Sequence, residues 1–453
     1  MSWKIVKIGD ILTESKIESV KPDPNKRITV RLNMKGVEKR PYETGVEGAT
    51  KYFVRKAGQF IYGKQNLFKG AFGIIPPELN EFESSSDIPT FDVSKECLPE
   101  WLYYYLKQGN YYLSLESIAT GTGSRRIQPS RLFEVEIPMP EIKEQKQIIR
   151  KCKLSENKYD VLAEELTLQG IYLHQLRQAI LQEAVQGKLT KQDPKDEPAE
   201  KLLQRIKAEK QKLIAAGKLK KEKELQPIAD DEIPFELPKG WVWCRLGEII
   251  DLVSGVTLGK TYKEGLLKVP YLRVANVQRG YIDITNLKEL SVPKFEIEKY
   301  SLQKGDLVMI EGGDWDKVGR CAIWNAAIDP CIHQNHIFRL RFYGWIDNRW
   351  SELFLNSPVA RRYFESCSKQ TTNLASINRT QLTNTLFPLP SLSEQQRIVA
   401  KVEQLMQMVN QLEQQVQESK EQASQLLQAV LKEAFTEKKQ YEENDVMTMA
   451  AEK

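Results

Sequence analysis

Gly255-Val-Thr-Leu-Gly259-Lys260-Thr261 is the stretch of this sequence that comes nearest to catalytic machinery, a phosphate-binding loop. Such a loop needs four residues between its glycines so that successive backbone N–H groups wrap the β-phosphate, and here there are three. A Gly-rich surface turn beside Lys260 is therefore the expectation. Cys321, Cys331, His333 and His336 carry zinc-ligating groups. Cys331 and His333 would share one strand face while His336 points to the other, and no second pair closes a tetrahedron, so ordinary strand and turn residues are expected. The other histidine, His174, falls within a predicted long helix. The sequence holds no Gly-x-Ser-x-Gly elbow, no Gly-x-Gly-x-x-Gly after a strand, no His-Glu-x-x-His and no Asn-Pro-Pro-aromatic motif of the amino-methyltransferase kind. Catalysis by this chain is not expected.

Binding chemistry is better represented. Tyr62-Gly-Lys64-Gln65-Asn66-Leu-Phe-Lys69 and Thr120-Gly-Thr122-Gly-Ser124-Arg125-Arg126 are polar loops rich in phosphate and base-edge donors. Gly312-Gly-Asp314-Trp315-Asp-Lys317 and Lys369-Gln370-Thr371-Thr372-Asn373 hold matching places later in the chain, where Lys260, Arg273 and Asn276 add donors of the same kind. Arg, Lys, Asn and Gln can bond bidentately to guanine or adenine, while Ser, Thr and Lys serve phosphates. Any one of these loops could equally be a solvated turn. Their recurrence at matched places favours a DNA-binding role.

The places match because the chain repeats itself. Ile137 to Ile149 (IPMPEIKEQKQII) and Phe387 to Val399 (FPLPSLSEQQRIV) align without gaps at an offset of 250, and so do QLRQAILQEAV from Gln175 and QLLQAVLKEAF from Gln425. The fronts align at an offset of 238, Trp3 to Ile11 against Trp241 to Ile249, so the second copy is 12 residues longer inside. After each Pro-rich junction, apolar residues step by three and four: Tyr159, Leu162, Leu166, Leu173, Leu176 and Ile180 in one copy, Leu405, Val409, Leu412, Val416, Leu426 and Val430 in the other. That spacing predicts two coiled-coil helices of about 45 residues, roughly 65 Å each, paired with one another. Ahead of them, Gln59 to Tyr62, Leu307 to Ile310, Cys321 to Trp324 and His336 to Arg341 read as strands, and Glu100 to Lys107 and Asn348 to Glu365 as helices. The fold class expected is α+β, two mixed α/β domains joined by a coiled coil of the two long helices, with internal pseudo-twofold repeat. Its divisions are residues 1–140, a first domain; 141–188, a long helix; 189–240, a basic joint and linker; 241–390, a second domain; 391–437, a second long helix; and 438–453, a flexible tail.

Composition limits the setting more than the activity. The 453 residues are 41% hydrophobic and 28% charged, an ordinary globular balance, and six scattered cysteines without a Cys-x-x-Cys pair suit a reducing compartment. No run approaches a membrane span and the first residues lack a signal sequence's apolar stretch, so a cytoplasmic protein is expected. The net charge of +5 is matched by the stretch from Glu200 to Glu224, with nine Lys and Arg against four Glu, and so says little about the recognition domains. That stretch reads as a solvated helix or a contact to nucleic acid or a partner.

The duplicated openings Trp-x5-Gly-Asp/Glu-Ile, the Pro-x-Pro-x3-Glu-Gln-x2-Ile junctions at 138–148 and 388–398, and the Leu-x-Gln-Ala-Ile/Val-Leu-x-Glu-Ala helix ends make the chain resemble the specificity subunits of type I restriction-modification systems, from Trp3 to about Glu437. The resemblance implies that two target-recognition domains read the halves of a split double-stranded DNA target, with the long helices packed as an antiparallel coiled-coil spacer. It implies partner modification subunits that bind S-adenosylmethionine and methylate adenine, and restriction subunits that translocate and cut with ATP and magnesium, leaving this chain without a cofactor. The competing expectation is a coiled-coil interaction scaffold without sequence-selective DNA binding.

Overall fold

The computed structural model describes residues 3–41, 50–219, 224–260, 262, 265–313, 317–371 and 374–436. The chain divides into two compact units, Met1–Leu168 with Val416–Lys453, and Gln169–Gln415. Each unit repeats one plan. In the first, Lys4–Lys7 pairs antiparallel with Glu136–Met139, and in the second Val242–Arg245 pairs antiparallel with Leu386–Leu389. This two-stranded clasp joins the start of each recognition segment to its end, just ahead of the long helix. Behind it lies a four-stranded antiparallel sheet, in the order Leu12–Ser15, Thr90–Val93, Phe60–Tyr62, Phe72–Ile74 in the first unit and Ile250–Ser254, Ile337–Phe342, Leu307–Ile310, Cys321–Ile323 in the second. Phe60–Tyr62 and Leu307–Ile310 are buried at every residue, so their apolar runs lack the alternation of a half-exposed strand.

The helix expected from Asn348 to Glu365 is two, Asn348–Leu355 and Pro358–Cys367. Pro358 biases Ser357 away from helical backbone, and the Ser357 hydroxyl accepts from Ala360 N to cap the second helix. Trp101 and Trp350, at the starts of the matched helices Pro99–Lys107 and Asn348–Leu355, are fully buried.

The long helices are Ile142–Val185 and Leu392–Ala434. Within the first unit, Lys151 meets Glu433 at 3.5 Å; within the second, Arg177 meets Glu413 at 2.8 Å and Asn410 at 2.6 Å, so the pairing is antiparallel in both. Burial along the helices is uneven. Cys152 and Leu431 are buried in the first unit, and Ile180, Val402 and Val409 in the second, where the helices lean on the mixed domains; Leu166, farther along the first helix, is buried as well. Tyr159, Leu173, Leu405, Val416 and Val430 are half-buried. Leu162, Leu176, Leu412 and Leu426, expected in the seam, are 44–66% exposed. A pair of helices covers only the strip where they face, and these leucines flank it.

The first long helix ends at Gly187, whose N–H donates to Ala184 O while Lys188 N–H donates to Glu183 O; its φ of +68° is one that glycine adopts without strain. In the joint, Ala199–Ala215 forms a helix that buries Ala199, Leu202, Leu203 and Ile206 in the second unit's core. Its lysines are partly engaged: Lys207 pairs with Glu248 at 2.6 Å and Lys210 donates to Gly247 O. The extended segment that follows is strapped down by Arg245, whose guanidinium donates to Gln226 O, Pro227 O, Asn384 O and both oxygens of Glu232.

Candidate nucleic-acid interface

The strand Phe60–Tyr62 runs straight into the loop that carries Lys64, Gln65, Asn66 and Lys69. There the backbone makes a small node: Lys64 N–H donates to Asp87 O at 2.9 Å, and Ile127 N–H donates to Lys64 O at 2.8 Å. The second bond draws in the hairpin closed by Thr120 and Arg126, so the two polar loops of the first segment meet. Arg126 Nη1 donates to Asp87 Oδ1 at 3.1 Å, and the Gln65 amide, assigned with its oxygen toward the guanidinium because only that orientation satisfies it, accepts from Arg126 Nε at 3.2 Å and Nη2 at 2.8 Å. Gly121 to Arg125 form an exposed tip. Gly121, at φ +122° with its missing Cβ 2.8 Å from Ser124 O, cannot carry a side chain without moving the turn.

The second unit builds the same node from different residues. Glu311 N–H donates to His336 O at 3.0 Å and Ile377 N–H donates to Glu311 O at 2.9 Å. Gly312–Gly313 pairs with Leu374–Ser376, which hairpins back to Lys369–Thr371, so the two loops of this segment also converge. His336 Nδ1 lies 2.8 Å from Glu311 Oε2, and the imidazole is 60% exposed.

The sequence candidates fall into three groups. Lys64, Gln65, Arg126 and the tip with Ser124 and Arg125 gather at the first node, with Arg125 held by Glu116 at 2.7 Å. Asn66 shapes the turn there, its carbonyl accepting from Lys69 N and Ala71 N, while Lys69 is exposed. Lys317 and the backbone of Lys369, Gln370 and Thr371 belong to the second node; Thr372 and Asn373 lie outside the described residues. Three candidates do not join them. Asn276 is 3% exposed, with its amide between Arg273 N and Asp283 O, so it holds a turn and presents no edge to a base. Arg273 donates to Asn286 O beside it. Lys260 and Tyr262 converge on Glu296, a carboxylate 3% exposed, at 3.3 and 2.8 Å; Thr261 lies outside the described residues. The sequence reading missed Asp87, Glu311 and His336. Glu311 directly follows one sheet strand and His336 directly precedes another, while Asp87 lies in the turn between Glu83–Ser85 and Thr90–Val93, and their shared place becomes readable only when Phe91 is matched to Leu340.

The zinc-like set is scattered. Cys331 and His333 are fully buried and His333 Nδ1 is 3.0 Å from Ile337 O, whereas His336 faces Glu311 at the surface. Among the described residues no group of three or more His, Cys, Asp or Glu could hold a metal ion, and no helix is long and apolar enough to cross a membrane.

Residues 238–422 match the family described as type I restriction modification DNA specificity domain. The EcoAI specificity subunit of Escherichia coli is 31% identical over 404 residues, 78% of this chain and 66% of that protein, and the Escherichia coli EcoEI subunit is 28% identical over 427 residues, 83% and 70%. The chain thus spans about two thirds of the length of these relatives. Among solved structures, a chain of a type I R-M system superposes with a TM-score of 0.64 at 18% identity, covering 96% of this chain and 97% of that one. The HsdS subunit from Thermoanaerobacter tengcongensis gives 0.54 at 18% identity, covering 96% of each. These two likenesses concern the fold, which is the α+β, two-domain architecture with long helices. With duplicated clasp, sheet and long helix in place, and the sequence relatives agreeing across both halves, the chain belongs to the family of type I restriction-modification specificity subunits.

Proposed function

We propose that this chain supplies DNA sequence specificity to a type I restriction-modification complex, each unit's node reading one half of a split target. The observation that carries this reading is the recurrence of one backbone node with different polar side chains: Lys64, Gln65, Asp87 and Arg126 in one unit, Glu311 and His336 in the other. A shared scaffold with changed donors and acceptors suits a protein that reads two different base sequences. Lysines and the exposed hairpin tip of the first unit would hold phosphates, and the long helices would serve as the spacer between the halves. In this reading catalysis belongs to partners: modification subunits with S-adenosylmethionine methylate adenine, and restriction subunits translocate and cleave with ATP and magnesium. The complex works in the cytoplasm.

The test is coexpression with a modification subunit followed by genome-wide mapping of methylated adenines. A two-part motif with a fixed gap is expected, and its gap should change when one helical turn is deleted from a long helix. Methylation without any split motif would overturn the reading.

A further inference from the structure

Asp87 and His336 occupy the same place. Each contributes the carbonyl that accepts the N–H of the residue leaving the buried strand, Lys64 in one unit and Glu311 in the other, and each precedes the strand that pairs with it. In the first unit the side chain at this place is a carboxylate that steadies a reader on the neighbouring hairpin: Asp87 accepts from Arg126, and Gln65 takes two further N–H groups of the same guanidinium. In the second unit the roles are exchanged. The carboxylate, Glu311, sits where Lys64 does, and the side chain it steadies is His336.

We infer that His336, oriented by Glu311, is a specificity-determining residue for the half-site read by the second unit, and that it recognises the exocyclic amino group of adenine or cytosine. The inference rests on the DNA-reading function proposed above. Its chemistry follows from the hydrogen bond. A carboxylate 2.8 Å from Nδ1 takes the hydrogen bond of an Nδ1–H, which leaves Nε2 of the neutral ring as an acceptor. In the major groove adenine and cytosine present amino donors, N6 and N4, whereas guanine and thymine present acceptors at the corresponding positions. The imidazole is 60% exposed, against 31% for its carboxylate, so the ring rather than Glu311 is offered outward. Asn335 Nδ2 lies 3.5 Å from Nε2, too long to hold it against a better donor. Arg126 is the converse. Three of its five N–H groups are used by Asp87 and Gln65, and as a pure donor it suits guanine O6 and N7. The two nodes therefore differ in the sign of their hydrogen-bonding: a donor in the first unit, an acceptor in the second.

The experiment uses the full chain in complex with its modification subunit and duplexes in which each base pair of the mapped target is replaced in turn. His336→Ala should remove discrimination at one A·T or C·G pair of one half-site, a loss of about 5- to 150-fold in the preference for that pair, with every position of the other half-site unchanged. His336→Gln, which keeps a polar group within similar reach, should alter the preference at that same pair. Glu311→Gln should weaken discrimination there and nowhere else, a pattern that a merely structural role would not give. Lys317→Ala is the contrast and should weaken binding to all sequences alike with a shallower salt dependence. Uniform weakening by His336→Ala, or discrimination kept at all pairs, would overturn the assignment while leaving the specificity function standing. A wild-type complex without any split preference would overturn both.

Discussion

Gln145 and Gln395 show what the two units hold in common, and Glu352 and His333 show what they do not. Each glutamine is fully buried at the start of its long helix. Gln145 donates to Pro140 O and Glu96 O and accepts from Leu98 N; Gln395 donates to Pro390 O and accepts from Asp347 N. Each thereby ties the helix to the segment that introduces the buried Trp, and this explains why a Glu-Gln pair recurs after each Pro-x-Pro. Elsewhere a side-chain bond survives at the matched place while its chemistry changes. Ser84 donates to Ile88 O, and at the matched place His333 does so to Ile337 O, a hydroxyl in one unit and an imidazole in the other. Gln59 bonds to Asp92, while Asp306 accepts a bidentate Arg341. The duplicated scaffold constrains backbone geometry and leaves polar pairs free to drift together.

If the glutamines are equivalent, substituting either by Leu should do equal harm. The change strands a buried backbone N–H and at least one carbonyl, so about 2–4 kcal/mol of the local unit's stability should be lost. Hydrogen exchange resolved by segment would show whether Gln145→Leu loosens only the first unit and Gln395→Leu only the second. A loss confined to one of the two would break the equivalence.

The glutamine role was legible as a pattern before it was legible as a mechanism. Repeats, sheet strands and long helices could be read in the sequence because they rest on periodic burial and on local signals such as Pro140 and Pro390. A third of the seam was not, since Leu162, Leu176, Leu412 and Leu426 keep the helical period yet flank the packed strip. Period reports a helix face, and how far a partner covers that face depends on long-range packing. The interface was legible in part for the same reason. Lys64, Gln65 and Arg126 stood out by residue type, whereas Asp87 and His336 gain their meaning from a backbone bond that joins segments more than 20 residues apart. Asn276 misled because an exposed amide and one that caps a buried turn are the same letter.

A smaller difference should appear with pH. Glu352 replaces Tyr103 of the first unit, and its burial pushes the carboxyl up to about 7 although Ile323 N–H donates to it. An acid whose pKa is raised on folding contributes fully below its unfolded value of about 4.5 and loses that contribution as pH rises through about 7. The second unit should lose about 2–3 kcal/mol between pH 4.5 and 8 through this group, since each tenfold change in proton affinity is worth ~1.4 kcal/mol. His333 works on the acid side. Burial holds it down to about 4, so it stays neutral near pH 7, and its stabilisation is lost as pH falls from 6.5 through 4. Urea midpoints of the second unit followed against pH should therefore flatten on the alkaline side in Glu352→Gln. An unchanged alkaline slope would show that some other group carries it.

The smallest effect belongs to a pair that exchanged signs. Glu100 on the short helix faces Lys153 on the long one at 3.6 Å; at the matched places Arg349 faces Glu403. All four side chains are 44–63% exposed, so solvent screens both pairs and each is worth about 0–1 kcal/mol. The arrangements are not equal, however. Glu100 lies in the first turn of its helix, where a negative charge meets the positive end of the helix dipole, and Arg349 lies in the first turn of its own, where it opposes that dipole. Arg349→Glu with Glu403→Lys would give the second unit the first unit's polarity and should stabilise it by a few tenths of a kcal/mol, while Glu403→Lys alone should cost up to about 1 kcal/mol by setting two cations together. A double-mutant cycle in low salt, repeated in high salt, measures both. A coupling that persists at high salt would mean that the pair is less solvated than its exposure indicates, and that the two units hold their short helices by different means.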